Sequence, residues 1–115
     1  MKTYETDALP KFDKRPGSVG TFVHGENLTL TVWTVKKDTI LASHSHSHEQ
    51  ISYLVSGAMR FETEDGKTVL LKGGSFAVFA PNETHGGIAL EDTVAIDAFT
   101  PAREDFKAET GWKDS

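Results

Sequence analysis

Cysteine is absent from this chain, which excludes disulfides and thiolate metal ligands and fits a reducing cytoplasm. No apolar stretch approaches the ~20 residues that a bilayer-spanning helix needs. Met1 to Pro10 is polar and lacks the apolar centre of a secretory signal, so a cytoplasmic location is expected. Positive charge is in the minority: 12 Lys and Arg stand against 17 Asp and Glu, a net charge of −5 over 115 residues. That balance disfavours nucleic acid and anionic membranes as partners, and an anionic ligand would need a local cation. The length supports one hydrophobic core and leaves no room for a second.

What is present reads as all-β. Leu28 to Val35 (LTLTVWTV) alternates apolar and polar residues of high strand propensity, and Lys36-Lys37-Asp38 turns the chain. A strand is predicted from there through the histidines to Val55, stopping at Ser56-Gly57. Ala58 to Thr63 and Thr68 to Leu71 flank Glu64-Asp65-Gly66-Lys67, a hairpin signal with Asp-Gly at its centre. Ser75 to Ala80, Ile88 to Leu90 and Thr93 to Phe99 complete the series, and Arg103 to Ala108 reads as a helical turn. Short strands at this spacing imply a sandwich or small barrel.

The densest chemistry lies in SHSHSHEQISYLVSG, Ser43 to Gly57. On a strand, His44, His46, His48 and Gln50 project from one face, so several imidazoles and an amide oxygen converge. Imidazole suits zinc, copper, iron or nickel, and an amide carbonyl adds a harder ligand. His85 is the natural further ligand. Pro81-Asn82 predicts a tight turn just before it, able to swing its ring towards the histidine strand. His24 is read as a surface or supporting residue with no role in the site, and Glu49 faces away from Gln50.

These residues resemble the cupin motifs. His44, His46, Gln50 and Gly57 follow the first motif, with glutamine where glutamate is usual; Tyr53 and Phe61 fill its accompanying aromatic positions. Gly74 and His85 fit the second motif, although Ala80 stands at its proline position, Pro81 falls one residue late and Asn82 replaces glycine. The resemblance covers about Phe22 to Phe99. It implies a cupin-type double-stranded β-helix, a jelly-roll barrel over residues 18–106, between an extended segment 1–17 and a tail 107–115 that Trp112 can pin. It further implies a divalent metal (Zn, Ni, Fe or Mn) held by His44, His46, Gln50 and His85, with His48 at the rim. A homodimer is expected from the size class, and Ile51, Tyr53 and Val55 form an apolar face opposite the metal face.

Gln50 carries its own chemical consequence. Three imidazoles and an amide leave a divalent ion its full formal charge, favouring Lewis-acid chemistry at the expense of affinity. In the last predicted strand Asp97 and Phe99 share a face; with Ile96 against the barrel wall, Asp97 enters the lumen, where burial can tune it for proton transfer. Arg103 lies just beyond and suits bidentate capture of a carboxylate, or pairs with Asp97.

The set HSHxHEQ and DxFxPxREDF resembles the KdgF family, small cupins that open 4,5-unsaturated monouronates from pectin or alginate to the linear keto form. The resemblance implies an anionic sugar substrate, with Asp97, Phe99 and Arg103 as its catalytic and positioning residues. Alternatives are an iron-dependent dioxygenase, a lyase using Tyr53 (which faces away from Gln50), and a non-catalytic sugar- or metabolite-binding cupin.

Overall fold

Two antiparallel sheets facing each other make up the computed structural model, which describes residues 1–113. The strands are β1 (Phe12–Arg15), β2 (Ser18–His24), β3 (Thr29–Val35), β4 (Ile40–His44), β5 (Glu49–Ser56), β6 (Ala58–Thr63), β7 (Thr68–Lys72), β8 (Phe76–Phe79), β9 (His85–Ala89) and β10 (Thr93–Thr100), followed by helix α1 (Glu104–Thr110). One sheet runs β1-β2-β3-β10-β5-β8 and the other β4-β9-β6-β7. This is the jelly-roll arrangement expected from the sequence.

Alternation sets which side chains enter the space between the sheets. On β3 the burial is strictly alternate, with Thr29, Thr31, Trp33 and Val35 inward. On β5 the inward residues are Gln50, Ser52 and Leu54, and on β10 Phe99 and Thr93 are buried on the same face as Asp97. Phe22, Trp33, Leu54, Met59, Phe61, Phe79 and Phe99 form the core, which Phe106 of α1 closes by stacking on Phe22 with ring centroids 4.9 Å apart. Apolar side chains therefore fill much of the interior, and Gln50, Ser52 and His85 are buried among them.

Two parts of the sequence reading change. The histidine run is not one strand: β4 ends at His44, β5 begins at Glu49, and residues 45–48 carry the chain from the smaller sheet to the larger. Strand alternation thus does not gather the imidazoles; a corner between sheets does. At the other end, the segment 1–17 contains a short helical turn, Thr6–Ala8, and the edge strand β1. Trp112 does pin the tail, its ring 5.1 Å from Tyr4 and 5.0 Å from His24.

The motif glycine Gly57 has a steric reason. Its φ is +89°, and a Cβ there would lie 2.4 Å from the Asp92 carbonyl oxygen. Only glycine tolerates both demands.

Candidate metal centre

His44, His46 and His85 come together although they lie on three different pieces of chain. His44 ends β4, His46 sits in the corner, and His85 begins β9, where it pairs directly with His44. Candidate ligand atoms of the three rings all lie within 4.8 Å of one another. The turn predicted from Pro81-Asn82 forms, with Asn82 left-handed at φ 65°, and its N–H donates to the His46 carbonyl at 2.7 Å. Asparagine tolerates that conformation, so the departure from the glycine of the motif keeps the turn. The same turn binds the two halves of the site together.

Each histidine is oriented by a backbone carbonyl two residues away. Nδ1 of His44 meets the Ala42 oxygen at 2.8 Å, Nδ1 of His46 the His48 oxygen at 3.0 Å, and Nδ1 of His85 the Glu83 oxygen at 2.9 Å. A carbonyl only accepts, so each Nδ1 carries the proton and each Nε2 presents a lone pair. That is the tautomer a metal ligand needs. Burial, reinforced at His46 by the Arg103 charge, lowers the pKa of His46; burial likewise lowers that of His85. Both shifts favour the neutral, ligating imidazole.

Gln50 stands beside the cluster. The Ser52 hydroxyl donates to Asp97 Oδ1 at 2.6 Å, so its oxygen accepts from Gln50 Nε2 at 2.9 Å. This fixes the amide with Oε1 turned towards His46 Nε2, 3.0 Å away. Two acceptors then face each other at hydrogen-bond distance, an approach relieved by a shared cation. The donor set fits a divalent ion bound by three imidazoles and one amide oxygen.

Asp97 closes the chain Gln50–Ser52–Asp97. Burial pushes its pKa up to about 6, against hydrogen bonds from Ser52, Gln50 and Trp33 that favour the ionised form. It borders a cavity of about 350 Å³ that also meets the three histidines, Phe99 and Arg103. That volume suits one small ligand. Phe99 is buried, with its ring 5.7 Å from that of His46. Tyr53 points to the outer face, its ring tilted against that of Phe76 with centroids 4.5 Å apart, away from the cavity.

Arg103 does not pair with Asp97. Its Nε and Nη2 donate to the two carboxylate oxygens of Asp105 at 2.9 and 2.7 Å, and its guanidinium lies 3.9 Å from the Phe106 ring centroid and 4.8 Å from that of Phe99. This pairing holds the Asp105 carboxyl down at about 2. Only part of the Arg103 fork is left for a ligand.

Of the two readings of His24, the surface one fails and the supporting one agrees with the structure. His24 is buried at 7% exposure rather than at the surface, and its Nδ1 lies 2.7 Å from Thr29 Oγ1, which in turn accepts the Arg103 N–H at 2.8 Å. It therefore supports the backbone that carries Arg103. His48 stands outside the cluster, but its carbonyl orients His46. Ser52 escaped the sequence reading, although its position two residues after Gln50 placed it on the inward face.

Residues 31–98 match the cupin domain family. The chain is 38% identical over 83 residues to the pectin degradation protein KdgF of Dickeya dadantii (strain 3937), a span covering 70% of this chain and 74% of that protein. KdgF from Halomonas sp. has the same fold at a TM-score of 0.83 and 30% identity, with 91% of this chain and 99% of that one covered. An RmlC-like cupin from Shewanella frigidimarina NCIMB 400 follows at a TM-score of 0.82 and 27% identity, covering 90% and 93%. With its jelly roll, its three-histidine cluster and these relatives, the chain belongs to the cupin family and, within it, to the KdgF-like proteins.

Proposed function

We propose that the protein opens 4,5-unsaturated monouronates, released from pectin or alginate, to their linear keto form. One observation carries this reading: a carboxyl tuned near neutrality inside a sugar-sized cavity is joined through Ser52 and Gln50 to a three-histidine cluster that could hold a metal ion. Similarity to a pectin degradation protein supports the substrate class.

The reaction is an isomerisation. The bond between the anomeric carbon and the ring oxygen breaks, leaving an aldehyde at one end and an enol at the other. The anomeric hydroxyl loses its proton, and the alkene carbon beyond the enol gains one as the ketone forms. A bound divalent ion supplies positive charge for the developing oxyanion.

Asp97 would take the hydroxyl proton and deliver it to carbon, a task suited to a carboxyl whose pKa is close to the working pH. Ser52 holds its Oδ1 through a 2.6 Å hydrogen bond, and Gln50 and Trp33 donate to the same carboxylate, so the group is fixed in place beside the cavity. Phe99 packs against the sugar ring. Arg103, with Asp105 on two of its nitrogens, keeps positive charge near the histidines and has Nη1 left for a ligand oxygen.

Proton NMR in deuterated water tests the proposal. The keto product should appear faster than the spontaneous rate, with solvent deuterium on the new methylene carbon. An unchanged substrate spectrum with each divalent metal would rule the activity out.

A further inference from the structure

We propose that Arg15, on the edge strand β1, captures the carboxylate of the anionic substrate at the end of the cavity remote from the histidines. The inference rests on the uronate reading above and names a specificity residue within that same site.

Three cations border the cavity: Lys14, Arg15 and Arg103. Two already have carboxylate partners. Lys14 lies 3.3 Å from Glu109 and packs over the Phe106 ring, and Arg103 forks onto Asp105. Arg15 makes no ion pair or side-chain hydrogen bond among the described residues, although it is half-buried and the chain carries 17 acidic residues. Burial lowers its pKa, a sign that its charge is desolvated without compensation. An arginine kept in that state, with five donors in a planar fork, is built for a carboxylate that arrives from outside.

Position supports the same conclusion. Arg15 pairs with Ser18, Ser18 with Val35, and Val35 with Thr93, four residues along β10 from Asp97. Thr93 lies roughly 13 Å along β10 from Asp97, and Arg15 stands three strands across the sheet from it, so Arg15 and Asp97 mark opposite parts of the one cavity that both border. The Arg15 side chain also borders a second, open groove of about 840 Å³ on its other flank. It therefore stands where solvent meets the cavity, and a carboxylate arriving there encounters it before Asp97. Net charge works against such a ligand elsewhere on the molecule, so a local cation at the mouth matters for capture.

The Arg15→Gln and Arg15→Lys variants, zinc-loaded, test this by steady-state kinetics on the unsaturated uronate and its methyl ester. For Arg15→Gln, KM for the uronate should rise about 10–100-fold, the loss expected of a charge-assisted pair. Its kcat should stay near the native value, and KM for the ester should barely move. Arg15→Lys should recover part of the loss, and both variants should keep the native zinc affinity and melting temperature. An unchanged KM in Arg15→Gln, or an equal loss on the ester, would overturn the proposal while leaving the ring-opening activity in place. Calorimetric titration with galacturonate and galactose separates the two ideas if the native protein shows no turnover. Arg15-dependent preference for galacturonate would uphold the carboxylate site without the reaction, and no preference would remove both.

Discussion

Asp97 is the residue on which chemistry and stability pull in opposite directions. Its pKa of about 6 lies above the 3.8 of an unperturbed aspartate, so between those pH values the folded protein holds a proton that the unfolded chain releases. Stability of the metal-free protein therefore falls as pH rises from about 4 to 6, by on the order of 2–3 kcal/mol in all. Asp97→Asn removes that cost. Thermal melts of the metal-free variant should exceed the native protein at pH 7.5 and match it near pH 4, while turnover drops by about 100-fold or more.

Gln50 makes a second residue-level contrast. Gln50→Glu adds a negative charge to the metal set, so zinc should bind more tightly in a chelator competition. The added carboxylate also faces Ser52 and, through it, Asp97. Turnover should fall because the ion's charge is offset where the reaction needs it.

Among the elements, the corner 45–48 and the turn at Pro81-Asn82 decide whether a metal site exists at all. The Asn82 N–H holds the His46 carbonyl, so a residue that resists the left-handed region should disturb His46 before it disturbs the barrel. Asn82→Val should cost about 1–2 kcal/mol and weaken zinc binding, whereas Asn82→Gly should preserve both. A melt and a zinc titration on each variant check this.

Much of this element structure was legible. Alternation located β3 and β10, Asp-Gly located the β6–β7 hairpin, and the ordered pair HxH and His85 pointed to the metal cluster. The edge strand β1 was missed because FDKR carries three charges in four residues, and β2 because its SVGTFVH is half-buried or buried along its whole length, which erases the alternating signal. The histidine run misled for a different reason. Alternating side chains look like a strand in sequence, yet the chain there is turning between sheets. Arg15 and Ser52 gave no motif, and what each does depends on partners brought from distant strands.

At the level of the whole molecule, the outer face of the larger sheet is the unusual surface. Cross-strand rows Val23–Leu30–Ala98–Ile51–Val78 and Thr21–Val32–Ile96–Tyr53–Phe76 carry no charge over five strands. Phe76 is 67% exposed and Val78 64%. Leu30, Val32 and Ile51 are exposed beside them, and an uncharged apolar sheet face is complementary to itself. We expect a homodimer formed through this face. Sedimentation should give twice the chain mass, and Phe76→Asp with Val78→Asp should yield a monomer whose zinc affinity is intact; a native monomer at all concentrations would contradict it.

The metal centre and the reaction meet in one experiment: an ultraviolet time course on unsaturated galacturonate with protein stripped of metal and then reloaded with zinc. Loss of the double-bond absorbance should outpace the spontaneous rate only in the reloaded sample, and should disappear with chelator and in His46→Ala. Equal rates in stripped, reloaded and protein-free samples would contradict the proposed function and leave a cupin with an empty role for Asp97.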